Sequence, residues 1–146
     1  MLFQRINRSD AETVFSIFYN VSAATITANY PAVWNVSSPD GVTVSKPATA
    51  TLSLIVGIAT ADVANSAYGK FQVYGYKASA YITNGTSAAS DIAAGDILIP
   101  IDAQWYLGRS GASDGKSGFI YAAEAFASAT AGAVAASTKK VFIRCL

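Results

Sequence analysis

Hydrophobic residues recur at every second position along much of this chain, and this spacing predicts short β-strands. It is clearest in residues 71–76, FQVYGY, and in residues 97–101, ILIPI. Because successive side chains of a strand point to opposite faces, each such run buries one face and shows the other. The segment between the two runs ends in Ala-Gly-Asp at residues 94–96, a composition typical of turns. Residues 69–107 therefore predict two strands, around which we expect the rest of the chain to be organised.

Similar runs elsewhere in the chain extend the strand prediction and decide the fold class. They cover residues 13–21, 32–36, 50–59, 119–127 and 141–146, with shorter candidates at 25–28 and 42–45. Turn-forming residues such as Ser-Pro-Asp-Gly at 38–41 separate them. Many short strands separated by turns indicate an all-β fold, either a small β-barrel or a β-sandwich.

Two segments carry more specific expectations. In residues 50–59, ATLSLIVGIA, alternation predicts a core-facing stripe on one side of a strand, made of Leu52, Leu54, Val56 and Ile58. Gly57, inside the same run, marks a bulge or a close approach of two backbones. Residues 119–137 are rich in alanine and also fit a helix. Their β-forming start and the flanking hairpin signals favour a strand over residues 119–127, followed by a loop.

Length and composition predict one domain with an unusual surface. The 146 residues suit a polar N-terminal arm over residues 1–10 and a single β domain over residues 11–146. Hydrophobic residues make up 52% of the chain and charged residues 13%, whereas about 25% charged residues is usual. A chain with so little charge must bury its apolar surface well or share it with neighbours.

The charge pattern argues against nucleic-acid and membrane partners. The net charge is +1 and no basic run is present, so a groove that neutralises phosphates is not expected. Residues 1–15 contain early charges and no apolar signal-peptide core. The alanine-rich residues 122–136 are shorter than the roughly 20 residues of a membrane helix and include Glu124. We therefore expect a soluble protein made in a cytoplasm.

Reactive side chains are scarce, so no catalytic, metal or cofactor site is predicted. There is no histidine, and the single cysteine, Cys145, is expected to be a small hydrophobic residue on the last strand. Asp96 and Asp102 bracket a strand and fit turn and strand-end positions better than a catalytic pair. Glu124 could be a buried acid, but a surface ion pair is expected. An enzyme using a Ser–Lys pair, or these two aspartates, is the weakest of the alternatives.

Aromatic residues are the main lead toward function. They crowd the central stretch, at Tyr68, Tyr74, Tyr76, Tyr81, Trp105 and Tyr106. Such residues fit a core, a protein–protein interface or a platform on which a ligand stacks. By side-chain type, the candidate interface residues are Trp34, Tyr74, Tyr76, Trp105 and Arg144.

Several segments together resemble small head proteins of tailed bacteriophages, in particular capsid decoration (cement) proteins. They are GKFQVYGYK at residues 69–77, AGDILIP at 94–100, the glycine-rich loop at 108–118, GFIYAAEA at 118–125 and VFIR at 141–144. The earlier segments at residues 35–46 and 52–59 fit the same group. The resemblance extends over residues 32–146.

This resemblance implies a β-barrel-like or tulip-like domain without enzymatic activity. Many copies would sit on the outer capsid of the virion, commonly as homotrimers that bridge neighbouring major capsid proteins. Low charge suits a subunit that packs against symmetric copies and a shell. The alternative is a carbohydrate-binding or adhesion module of a phage head fibre, in which Trp34, Trp105 and tyrosine side chains stack on sugars.

Overall fold

The structure is a computed structural model that describes residues 12–85, 91–110, 119–127 and 135–145. These residues form nine strands and one short 3-10 helix, Thr49–Thr51, so the all-β prediction is confirmed. The strands are β1 (Thr13–Asn20), β2 (Pro31–Trp34), β3 (Thr43–Ser45), β4 (Ile55–Ala59), β5 (Tyr68–Thr83), β6 (Ile97–Pro100), β7 (Leu107–Arg109), β8 (Ile120–Ala122) and β9 (Ala136–Arg144).

The 16-residue strand β5 organises the fold because two closed rings of strands share it. The first ring runs β1–β3–β2–β4–β5 and closes through the β1–β5 pairing. The second runs β5–β7–β6–β8–β9 and closes through the β5–β9 pairing. The β1–β3 and β5–β7 contacts are parallel and the other pairings are antiparallel. Of the two predicted architectures, this closed pairing corresponds to the barrel-like one.

Two irregularities let β5 pass from one ring to the other. Its pairing with β1 skips a residue between Tyr74 and Gln72, and its pairing with β9 shifts between Lys77 and Ala80. Each places an extra residue on β5, and such bulges bend and twist a strand. The buried side chain of Gln72 donates to the carbonyl oxygens of Tyr74 (3.3 Å) and Tyr76 (2.9 Å), so it satisfies backbone acceptors beside the first bulge.

Each ring has its own hydrophobic core. The first core consists of Phe18, Ile26, Ala32, Val44, Val56, Ala59, Val63, Phe71 and Val73. The second consists of Ile55, Ile58, Ala80, Ile82, Ile92, Leu98, Leu107, Ile120, Ala122, Phe126, Val141 and Ile143. Cys145 packs against both. Strand β4 contributes to both cores, which is why all five of its residues are buried.

The prediction for residues 50–59 was wrong in two respects. The segment begins in the 3-10 helix, where the Thr51 hydroxyl accepts a hydrogen bond from the Ala48 N–H and donates one to the Ala48 carbonyl. Strand β4 therefore starts only at Ile55. The predicted stripe also does not share one face, since Val56 lies in the first core and Ile58 in the second. The predicted close approach at Gly57 is confirmed, because a Cβ there would lie 2.5 Å from a backbone oxygen of β5.

Other boundaries differ because long-range pairing replaces local preference. The strand predicted at residues 119–127 is limited to β8, and Phe126 pairs with Ile92 in an isolated bridge. The last strand begins at Ala136, inside the predicted loop, where β5 provides a partner through Thr83. The predicted arm of residues 1–10 and most of the predicted loop at 108–118 lie outside the described residues.

Candidate functional site

A set of apolar and aromatic side chains on β1, β5 and β9 lies outside the two cores. Its members, called the outer band here, are Phe15, Ile17, Tyr19, Tyr68, Tyr74, Tyr76 and Phe142. Phe15 is 45% exposed, Ile17 56% and Tyr68 67%. Facing residues of antiparallel strands place their side chains on the same face, and the pairs Tyr19–Tyr68 and Tyr76–Phe142 face each other. We therefore take the outer band as the candidate interaction surface.

The part of the band on the first ring is held in place by ring contacts. The rings of Tyr19 and Tyr68 lie 5.0 Å apart, and the Lys70 ammonium lies 4.9 Å from the centre of the Phe15 ring. In the described part of the chain, β3 pairs with β1 only at Tyr19 and Asn20, so β5 is the sole strand neighbour of residues 13–18. An apolar strand edge of this kind is suited to contact with another polypeptide.

Where the rings meet, the band borders a shallow groove of about 570 Å³. Its lining residues are Glu12, Val14, Tyr74, Phe142 and Arg144. Tyr74 faces Val14 on β1 and Arg144 on β9, and its ring packs edge-on against Phe142 at 5.6 Å. The structure shows no anionic partner for the Arg144 side chain among the residues it describes. The groove therefore combines an aromatic floor with residues of both charges, Arg144 and Glu12.

The structure separates the five residues proposed from sequence into two groups. Tyr74 and Tyr76 lie in the outer band, and Arg144 lines its groove. Trp34 instead packs edge-on against Phe18 in the first ring, at 5.2 Å, and Trp105 stacks on another aromatic ring outside the band. An interface role for any of the five stays a prediction.

Sequence reasoning did not single out Phe15 and Ile17, the two apolar residues exposed on β1. Their side chains alternate with Val14, Ser16 and Phe18, of which Phe18 is buried in the first core. The alternation was therefore visible in the sequence. It did not show which of the two apolar faces would remain in solvent.

Two of the acidic residues considered as reactive groups, Asp96 and Glu124, have structural partners. Asp96 forms an ion pair with Arg109 at 3.0 Å and accepts a hydrogen bond from the Ala93 N–H, as a turn residue does. The predicted ion pair of Glu124 is confirmed, with the Lys140 ammonium at 3.6 Å. The Lys140 backbone N–H, and then the nearby lysine charges, lower the pKa of Glu124. Among the described residues, no three metal-ligating side chains cluster.

Burial makes Cys145 a poor nucleophile, which gives a direct test of its position. Burial raises the pKa of its thiol to about 12, and the thiolate is the reactive form. At pH 8 we expect iodoacetamide to alkylate the folded protein at least about 100-fold more slowly than the unfolded protein in concentrated urea. Mass spectrometry of timed samples measures both rates, and equal rates would contradict the packing of Cys145 between the cores.

No helix in the described residues has the length and apolar character needed to cross a membrane. Comparison with known proteins shows no matching protein-family model and no matching curated protein. Among solved structures, the chain is similar to the head fibre gp8.5 N base in bacteriophage phi29, at 18% identity and a TM-score of 0.43. The similarity covers 86% of this chain and 94% of that one. A TM-score of this size does not establish a shared fold.

Proposed function

We propose that this chain is a non-enzymatic structural protein of a bacteriophage head. It binds the outer surface of the assembled capsid as a homotrimer and stabilises the shell by bridging major capsid proteins. The observation that supports this proposal best is the outer band, because it offers a ready contact surface. The sequence motifs that resemble phage head proteins suggest which surface it contacts.

The composition of the band suits a protein partner. Tyrosine and phenylalanine are enriched in the cores of protein interfaces, where charged residues are depleted. The band contains four tyrosines and two phenylalanines. Lys70 lies among them, opposite Ile17 and over the Phe15 ring, and Arg144 lines the adjoining groove. A surface rich in aromatic side chains and poor in charge has the composition of an interface core.

The fold presents the band on a stiff support. Strand β5 runs through both rings, so the two parts of the band are carried by one continuous strand. A pre-ordered surface loses little conformational entropy on binding. Contacts repeated over many copies on a lattice add through effective concentration, and a ligand that binds only the assembled shell stabilises it by mass action.

The available side chains agree better with binding than with catalysis. The chain has no histidine, the commonest general acid or base. Asp96 and Glu124 are each engaged in an ion pair with a neighbouring strand or turn. These observations favour a contact role over the alternative of an enzyme that uses Asp96 and Asp102.

Charge placed in the band should abolish capsid binding. We expect the double variant Phe15→Asp/Ile17→Asp to lose at least about 100-fold in affinity for assembled shells of the encoding phage, since buried apolar anchors carry about 2 kcal/mol or more each. Co-sedimentation with purified shells measures the loss. The matched control is Val36→Asp/Val42→Asp, which changes two exposed valines between β2 and β3, outside the band.

Two outcomes would contradict the proposal. One is a Phe15→Asp/Ile17→Asp variant that coats shells as fully as the unaltered protein. The other is an unaltered protein whose mass in solution is that of a monomer and that does not bind shells.

A further inference from the structure

Four aromatic rings that are far apart in sequence meet on a second surface, which contains no residue of the outer band. This aromatic cluster consists of Tyr30, Tyr81, Trp105 and Tyr106, all half-buried. The Tyr30 ring lies 5.9 Å from Trp105 in a stacked arrangement and 5.4 Å from Tyr81. The rings of Tyr81 and Tyr106 lie 5.0 Å apart.

Backbone contacts between separate segments hold the rings in position. The Tyr81 N–H donates to the carbonyl of Asn29 at 3.0 Å, which fixes β5 against the residue before Tyr30. The loop that carries Trp105 is anchored by a 3.1 Å bond from the Ala103 N–H to the Pro47 carbonyl. The cluster is therefore built before any ligand arrives, which lowers the entropy cost of binding.

Polar groups converge on the same place. Burial raises the pKa of Tyr30, and the negative charges of Tyr106, Tyr81 and Asp62 raise it further. Within the described ranges, none of the three tyrosine hydroxyls has a hydrogen-bond partner. Asp62 is exposed and accepts a bond from the Ala28 N–H through one oxygen, at 2.8 Å. The Lys46 ammonium lies 5.7 Å from the Trp105 ring centre.

The combination of aromatic rings, tyrosine hydroxyls and two opposite charges favours one class of ligand over others. A purely apolar ligand would remove water from three hydroxyls without replacing its hydrogen bonds, which is costly. A strongly anionic ligand would be attracted by one ammonium group, that of Lys46, and repelled by the carboxylate of Asp62. A neutral pyranose has an apolar C–H face that can lie on an aromatic ring. It also has several hydroxyls that both donate and accept hydrogen bonds.

We propose that the aromatic cluster binds one neutral pyranose unit of an oligosaccharide or polysaccharide. The sugar packs against the rings of Trp105 and Tyr30. Its hydroxyls bond to the hydroxyls of Tyr30, Tyr81 and Tyr106, and the flexible Lys46 side chain moves off the Trp105 ring to admit it. The proposal does not depend on capsid binding, since the outer band and the aromatic cluster share no residue.

Tryptophan fluorescence can test this site directly. In a Trp34→Phe background, Trp105 is the only tryptophan. We expect at least one of the neutral hexasaccharides maltohexaose, cellohexaose and chitohexaose to give a saturable change in its emission at millimolar concentration. The hydrogen bond lost in each of Tyr30→Phe, Tyr81→Phe and Tyr106→Phe should weaken binding about threefold to tenfold. Each variant keeps the ring and loses only the hydroxyl.

Tyr74→Phe is the matched control, because it removes a hydroxyl from a half-buried tyrosine of the outer band. It should leave saccharide binding unchanged. The proposal is overturned if none of the three hexasaccharides alters the Trp105 emission, or if the three cluster variants combined bind as tightly as the parent. Tighter binding of a sulfated heparin hexasaccharide than of any neutral one would also overturn it.

Discussion

Replacing Gly75 with alanine should destabilise the fold by about 3 kcal/mol or more, the largest effect that we expect from adding one methyl group. Gly75 has φ +99°, a conformation that L side chains rarely adopt. A Cβ at this position would also overlap the backbone carbonyl oxygen of Glu12. Backbone cannot swing aside as a flexible side chain can, so one of the two strands would have to move.

The position of Gly75 in the fold makes that movement costly. It faces Thr13 on β1 and Ile143 on β9, at the point where the two rings share β5. Displacing β1 or β9 there would disturb both cores. Urea denaturation followed by circular dichroism gives the free energy of unfolding of parent and variant.

Gly41→Ala is the matched control for this prediction. Gly41 also has a positive φ, +71°, but a Cβ there would meet nothing within 4 Å. Only the conformational cost remains, which is about 1 kcal/mol. Equal destabilisation by the two substitutions would show that Gly75 is needed for its backbone angle alone and that the close approach of β1 has no energetic weight.

Truncating Phe71 should cost about 3 to 5 kcal/mol, the usual range for a buried phenylalanine replaced by alanine. Phe71 lies on β5, has no exposed surface, and packs its ring 5.7 Å from that of Phe18. It is the largest fully buried side chain among the described residues. Its removal would leave a cavity in the first core that the closed ring of strands cannot easily collapse.

Phe15→Ala makes the same chemical change on the outward face of the first ring. Because Phe15 is exposed and belongs to the outer band, we expect less than about 1 kcal/mol of destabilisation. Thermal unfolding by calorimetry compares the two variants. If Phe15→Ala costs as much as Phe71→Ala, the assignment of inner and outer faces to the first ring is wrong.

Phe15 and Phe71 also show which features of the fold could be predicted from the sequence. Both lie in runs that were predicted to be strands, and both strands exist as β1 and β5. Alternation places Val14 and Phe15 on opposite faces of β1 but does not show which face is buried. That depends on the closure of the first ring through β5, a distant part of the chain, which places Phe18 in the first core.

Residues 50–59 show a second limit. Periodicity assumes that a strand has one core on one side, and the predicted stripe from Leu52 to Ile58 followed from that assumption. Strand β4 lies between two cores, so Val56 and Ile58 pack into different ones.

Among the proposed interface residues, Tyr74, Tyr76 and Arg144 meet around β5, whereas Trp34 and Trp105 do not.

The amino-acid sequence by itself determined the all-β class, the centres of the main strands and turns such as that at Gly41, because alternation and turn chemistry act between near neighbours. The tertiary structure decided that β5 serves two rings, and it brought Tyr30, Tyr81, Trp105 and Tyr106 to one surface. Both results depend on strand pairing between distant segments and on bulges that reset its register. No local pattern in the chain encodes such contacts.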